Sequence, residues 1–184
     1  MAKILNAPED YVEDMLDGLM LYQPGLRRDD VAPRVVYAEA SDTVPRVGIS
    51  TGGGSGHLPL FVGYVGPGLV DSCAVGNVFE GPSLLACERA IRRADKGRGV
   101  LCLLGNYGGD RMNFAIACTQ TDGDIVTRTV LGTDDIASAP PEDAAQRRGV
   151  AGLTLVYKAA GHAAATGAPL DEVADFASHA NDRT

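Results

Sequence analysis

Val100-Leu101-Cys102-Leu103-Leu104, the stretch `VLCLL`, is apolar at every position. A strand with one wet face alternates apolar and polar residues, whereas an unbroken apolar run is buried on both faces, as in a parallel sheet between helical layers. Working outward, strand-like runs occur at 34–38 (`RVVYA`), 46–50 (`RVGIS`), 69–75 (`LVDSCAV`), 99–104 (`GVLCLL`) and 124–131 (`DIVTRTVL`). Helical patterns separate several of them, at 82–94 (`PSLLACERAIRRA`) and 111–120 (`RMNFAIACTQ`). The final segments, `RGVAGLTLVYKAAGHAAATG` and `PLDEVADFASHA`, are also helix-like. Near the start, Val12, Met15, Leu16, Leu19 and Met20 share one helical face, with Asn6 and Glu9 spaced as a capping box. The expected fold is α/β: a mainly parallel sheet flanked by helices on both faces, in a single domain over residues 1–184. The polar stretch 132–148, with two prolines, reads as a surface loop.

Composition narrows the function. The 184 residues are 45% hydrophobic, enough for a core, and carry a net charge of -8 without a basic stripe. That argues against nucleic-acid binding. Cys73, Cys87, Cys102 and Cys118 form no C-x-x-C pair and read as buried free thiols, not disulfides or a metal site. `MAKILNAPED` lacks the apolar core of a signal peptide, and no apolar run is long enough to span a bilayer. A soluble cytoplasmic protein, not a membrane one, is expected.

Three Gly-rich loops follow strands: 51–58, 76–81 and 105–110. In open α/β sheets, ligands bind beyond the carboxyl ends of the strands, so these loops are expected to converge on one rim. `STGGGSGHLP` (50–59) fits none of the common Gly-rich signatures. It has no lysine for a phosphate-binding loop, the wrong spacing for a dinucleotide fingerprint, and His57 where a hydrolase elbow needs Gly. What remains is either a structural turn or a turn whose backbone meets a small polar ligand, with His57 beside it. In `GNYGGD` (105–110), Asp110 is either the N-cap of the next helix or a carboxylate at the rim, able with His57 to take a proton from a hydroxyl. Asn77 and Glu80 in `VGNVFEGPS` are connector residues or rim groups, while His162 and His179 read as surface or packing residues.

Together, `STGGGSGHLP`, `GYVGPGLVDSCAVGNVF`, `GVLCLLGNYGGDRMNF`, `DDIA` and `RRGVAGLTLVYKAAGHAAATG` resemble the N-terminal half of the K subunit of dihydroxyacetone kinase, in order and spacing from near residue 3 to the end. The resemblance implies a ketose-binding part of a kinase that phosphorylates a terminal hydroxyl of dihydroxyacetone or a larger ketose such as erythrulose. No cofactor is implied on this chain. ATP or ADP with Mg is expected on a separate L subunit or domain, and the K part is expected to be a homodimer. Carried over by position, Gly54, Ser55 and Gly105 fall at the sugar, and His57 and Asp110 orient and deprotonate the attacking hydroxyl. No metal ligands are implied. A non-catalytic, ligand-sensing K-like module is the alternative; a hydrolase built on Ser55 and His57 is disfavoured because no elbow is present.

Two departures from the resembled pattern bear on specificity. Gly105 stands where dihydroxyacetone-specific members tend to carry Lys, and Leu58 where Glu is common. Both suggest a larger, less polar site and a bulkier ketose. The resemblance also implies a second K domain bearing a histidine that holds the ketone covalently. Neither His162 nor His179 matches its context, so the chain is expected to be either a truncated piece or a split subunit needing a second chain, and alone a poor kinase.

Overall fold

The computed structural model describes residues 6–39 and 44–184. Six strands form one sheet: β1 (Leu26–Arg28), β2 (Val35–Ala38), β3 (Arg46–Gly54), β4 (Ser72–Gly76), β5 (Gly97–Leu104) and β6 (Thr127–Leu131). Their spatial order is β1-β2-β4-β3-β5-β6. The pairs β4–β3, β3–β5 and β5–β6 are parallel, while β1–β2 and β2–β4 are antiparallel. The mainly parallel α/β sheet expected from `VLCLL` is therefore present, with an antiparallel pair along one edge.

Five helices cover both faces. On one lie α1 (Tyr11–Tyr22), α4 (Leu153–Ala165) and α5 (Leu170–Asn181), in a core with Val36, Val47, Ile49, Leu101 and Leu103. On the other lie α2 (Leu84–Ala94) and α3 (Gly108–Thr121), against Ala74, Val100, Cys102 and Leu104. The alternating residues of β5 thus divide between two cores, which is why its sequence shows no polar face. Burying a large apolar side chain such as Phe114 contributes roughly 2–3 kcal/mol. Ser83 caps α2 by accepting a hydrogen bond from the Ala86 amide.

Several expectations give way. The helix expected to be capped by Asn6 starts at Tyr11 after a short 3-10 turn, Pro8–Asp10. The Asn6 amide instead donates to the Asp14 carboxylate at 2.8 Å, because Pro8 and the turn set the chain off the helix axis before a cap can form. Strand β1 was not expected, since `LRR` carries two arginines and no alternation; it survives at the edge, where Arg28 pairs with Glu13 and Asp17.

The larger correction concerns residues 51–54, which belong to β3 and not to a loop. Their side of the sheet alternates as a strand must. Thr51 and Gly53 face α4, and Ser50 and Gly52 face the α2–α3 layer. The space a side chain would take at Gly53 is filled by the Phe61 ring, and at Gly52 by Phe114 and the Ala74 backbone. Just behind them, the Tyr157 hydroxyl bonds Thr51 Oγ1 at 2.9 Å, and Thr51 donates to the Leu103 carbonyl at 2.6 Å. That contact fastens α4, β3 and β5 together below the rim.

Candidate functional site

At the carboxyl edge of the sheet, β3 and β5 lie side by side but send the chain in opposite directions. The segment leaving β3 buries Leu60, Phe61, Val62 and Val65 in the α4 layer. The segment leaving β5 enters α3, on the other face. Such a parting of neighbouring strands opens a crevice at their carboxyl ends. Ser55, His57, Gly105 and Asp110 all follow these two strands.

Ser55–His57 form a single 3-10 turn directly after β3. The Ser55 amide donates to the Asn77 carbonyl at 2.9 Å, and the Gly56 amide to that of Val78. The loops at 55–58 and 77–81 therefore form one ledge, in register because Gly54 pairs with Gly76. These two amides are consumed by the ledge. The side chain of Ser55 is not: its Oγ is the one buried side-chain oxygen or nitrogen without a hydrogen-bond partner among the described residues. An orphaned buried hydroxyl needs an explanation, and a polar ligand supplies one.

His57 is half-buried within aromatic rings, with Tyr107 at 5.2 Å, Phe79 at 5.7 Å and Phe61 at 6.1 Å between centroids. Among the described residues, no group hydrogen-bonds its ring nitrogens. Asp110 sits in the first turn of α3, whose N-cap is Tyr107, so the N-cap reading of Asp110 does not hold. Its side chain is packed against the backbone of Gly81, where an added methyl would come within 2.6 Å of Oδ1. Only 3% of Asp110 is exposed, and burial pushes its carboxyl up to about 6 with no hydrogen bond offsetting the cost. A carboxylate poised near neutral pH is a competent proton acceptor. His57 and Asp110 make no direct hydrogen bond among the described residues. Tyr107 lies tilted beside the imidazole, and burial pushes its phenol up against the pull of the Arg148 charge.

Gly105 is closed in. A side chain there would meet the Gly149 carbonyl and Tyr107 at 3.0 Å and Phe61 at 3.1 Å. The larger, emptier site expected around Gly105 is therefore not open space: two aromatic rings and a backbone carbonyl occupy it. Leu58 points to a separate groove shared with Met15, Leu19 and Tyr22 of α1. Asn77 and Glu80 are tied to each other at 2.7 Å, and Asn77 to Arg34 at 2.6 Å, which makes them braces of the ledge. His162 and His179 are exposed on α4 and α5.

Asn106 was missed. It is fully buried with φ 62°, a left-handed conformation that Asn tolerates better than most residues. Its amide donates to the carbonyls of Ala145 and Arg147, at 3.1 and 2.6 Å, while Arg148 donates back to its carbonyl. Arg148 also lies over the Tyr107 ring, 5.3 Å from its centroid. The expected surface loop 132–148 is thereby strapped to the rim. The only sequence signal was an amide residue placed between an apolar strand and a glycine pair.

With this geometry in view, similarity to known proteins becomes interpretable. The Dak1 domain matches residues 17–184.

The chain belongs to the Dak1 domain family.

All of it aligns with the dihydroxyacetone-binding subunit DhaK of the PTS-dependent dihydroxyacetone kinase 2 of Listeria innocua, at 44% identity and over 56% of that protein. It is 40% identical to the L-erythrulose 1-kinase of Mycolicibacterium smegmatis, covering 32% of it. Among solved structures, the dihydroxyacetone kinase from C. freundii in complex with AMP-PNP and Mg2+ superposes with a TM-score of 0.89 at 32% identity, over 98% of this chain and 34% of that one. This Dak1 chain thus spans about half or less of the length of these relatives.

Proposed function

We propose that this chain is the ketose-binding part of a dihydroxyacetone-type kinase. Two observations after the parting of β3 and β5 support the reading: a buried and uncompensated Asp110, and the orphaned hydroxyl of Ser55. In this reading Ser55 and the backbone around Gly54 and Gly105 hold the ketose. His57 orients its terminal hydroxyl, and Asp110 takes the proton as that oxygen attacks the phosphoryl group. The aromatic rings around His57 keep water from competing with the sugar for these groups. The phosphoryl donor, ATP or ADP with Mg, sits on an L subunit or domain that closes over the rim. The chain works in the cytoplasm as a homodimer, and a second K half, on the same or on a separate polypeptide, supplies the covalent ketone anchor.

A ligand-sensing module would share the site but not the turnover. The kinase relatives, together with the retained His57 and Asp110, favour the enzyme. Whether the ketose has three or four carbons is left to the test: the relatives include both kinds. Backbone amide NMR with dihydroxyacetone and L-erythrulose checks the reading. Shifts at residues 55–58 and 105–110 are expected, and phosphorylation should follow once a second K half and a nucleotide-loaded L component are added. Shifts confined elsewhere, or none at saturating ketose, would overturn it.

A further inference from the structure

Cys102, midway along β5, and Cys118, in the last turns of α3, face each other with their sulfurs 3.9 Å apart. Cys102 is fully buried, whereas Cys118 is only partly so. The pair lies outside the crevice: Cys118 stands eight residues beyond Asp110, against β6. We propose that Cys102 and Cys118 form a peroxide-sensitive dithiol, with Cys118 the attacking sulfur and Cys102 the resolving one.

The geometry sets the division of labour. Peroxide can reach Cys118 but not Cys102. The Cys118 thiolate attacks one peroxide oxygen, the O–O bond breaks and hydroxide leaves, giving a sulfenic acid. The Cys102 sulfur, already in contact, then attacks the Cys118 sulfur. The S–O bond breaks, and the thiol proton departs with the hydroxyl as water, leaving a disulfide. Closing the gap to the ~2.0 Å of an S–S bond needs side-chain rotation of about 2 Å. Selectivity among the four thiols follows from their surroundings. The contact with Cys102 and the hydroxyls of Thr127 and Thr129 hold the Cys118 thiol down at about 6, against the cost of burial. Burial instead pushes the Cys73 and Cys87 thiols up, and the hydrogen bond with Cys118 together with burial does the same to Cys102. The bond would tie β5, which ends at Leu104 just before Gly105, to the helix whose first turn holds Asp110.

Treating the reduced chain with stoichiometric hydrogen peroxide, then blocking free thiols with N-ethylmaleimide, tests this. A loss of about 2 Da before blocking, and a single cross-linked peptide pair containing Cys102 and Cys118, are expected. N-ethylmaleimide alone should label Cys118 about tenfold faster than the other three cysteines, and this prior labelling should abolish the cross-link. In Cys102→Ser, dimedone should trap the sulfenic acid on Cys118. An unchanged mass, a disulfide between any other pair or between two chains, or equal labelling of all four thiols would each overturn the proposal. The labelling measurement uses the unaltered chain, so a variant that fails to fold does not protect the idea.

Discussion

Asp29 and Asp110 are equally buried, at 2% and 3% exposure, and differ in everything around them. Burial works against the Asp29 charge, but Arg89 and Arg93, at 2.8 and 2.6 Å, and the amides of Val31 and Ala32 outweigh it, holding the carboxyl well below its usual range. Asp110 has the burial without the partners and is pushed up to about 6. One aspartate is a fastener between the β1–β2 edge and α2. The other is held in a costly state that packing alone does not explain. Burial of a charge does not separate structure from chemistry; the presence or absence of compensating donors does.

That contrast can be broken most directly by activity. In a kinase assembled with its second half and L partner, Asp110→Asn should lower kcat by ~10²–10⁴-fold, while Asp29→Asn leaves the rate per folded molecule nearly unchanged. Comparable losses in both would erase the distinction. Next in size is stability. Asp29→Ala leaves Arg89 and Arg93 only the exposed Asp30 as carboxylate partner and should cost ~3 kcal/mol in urea unfolding; a cost under ~1 kcal/mol would show the fastener to be ornamental.

The pH dependence sharpens the comparison. For Asp110 the folded value lies above the unfolded one, so folding favours the protonated form and stability declines as pH rises from near 4 through about 6. Asp110→Asn should therefore stabilise the chain by up to ~3 kcal/mol above pH 7, and by nearly nothing at pH 4. Asp29 has the opposite sign: its contribution is full above pH 4 and is lost only in strong acid. A parallel pH profile for wild type and Asp110→Asn would refute the raised carboxyl. The smallest effect is expected at the strap. Asn106→Gly loses three side-chain hydrogen bonds, two donated to carbonyls and one accepted from Arg111, and Asn106→Ala should cost about 1 kcal/mol more, because alanine resists the left-handed backbone; thermal melts of the two variants decide it.

These same features explain what could be read from sequence. Runs such as `VLCLL` announced buried strands because side chains carry the pattern, and His57 and Asp110 stood out as reactive residue types beside glycines. The glycine run was misread as a loop for the same reason in reverse. Gly52 to Gly54 have no side chains to alternate, and what fills their space comes from Phe61, Phe114 and the 77–80 segment, all outside the run itself. The uncompensated state of Asp110 and the orphaned Ser55 hydroxyl are properties of neighbours that are missing, which no local motif can report. Asn106 was invisible because a left-handed backbone and two carbonyl partners leave no periodic trace.

The filled glycines also shape how the Dak1 rim can change over generations. At Gly52 and Gly53 every larger residue collides with a ring or a backbone carbonyl, so those positions offer natural selection almost nothing neutral to explore. Phe79, 81% exposed at the edge of the aromatic ring set, has no such barrier. If the crevice holds the ketose as proposed, heritable shifts in ligand preference are channelled to its outer wall, while its floor stays frozen.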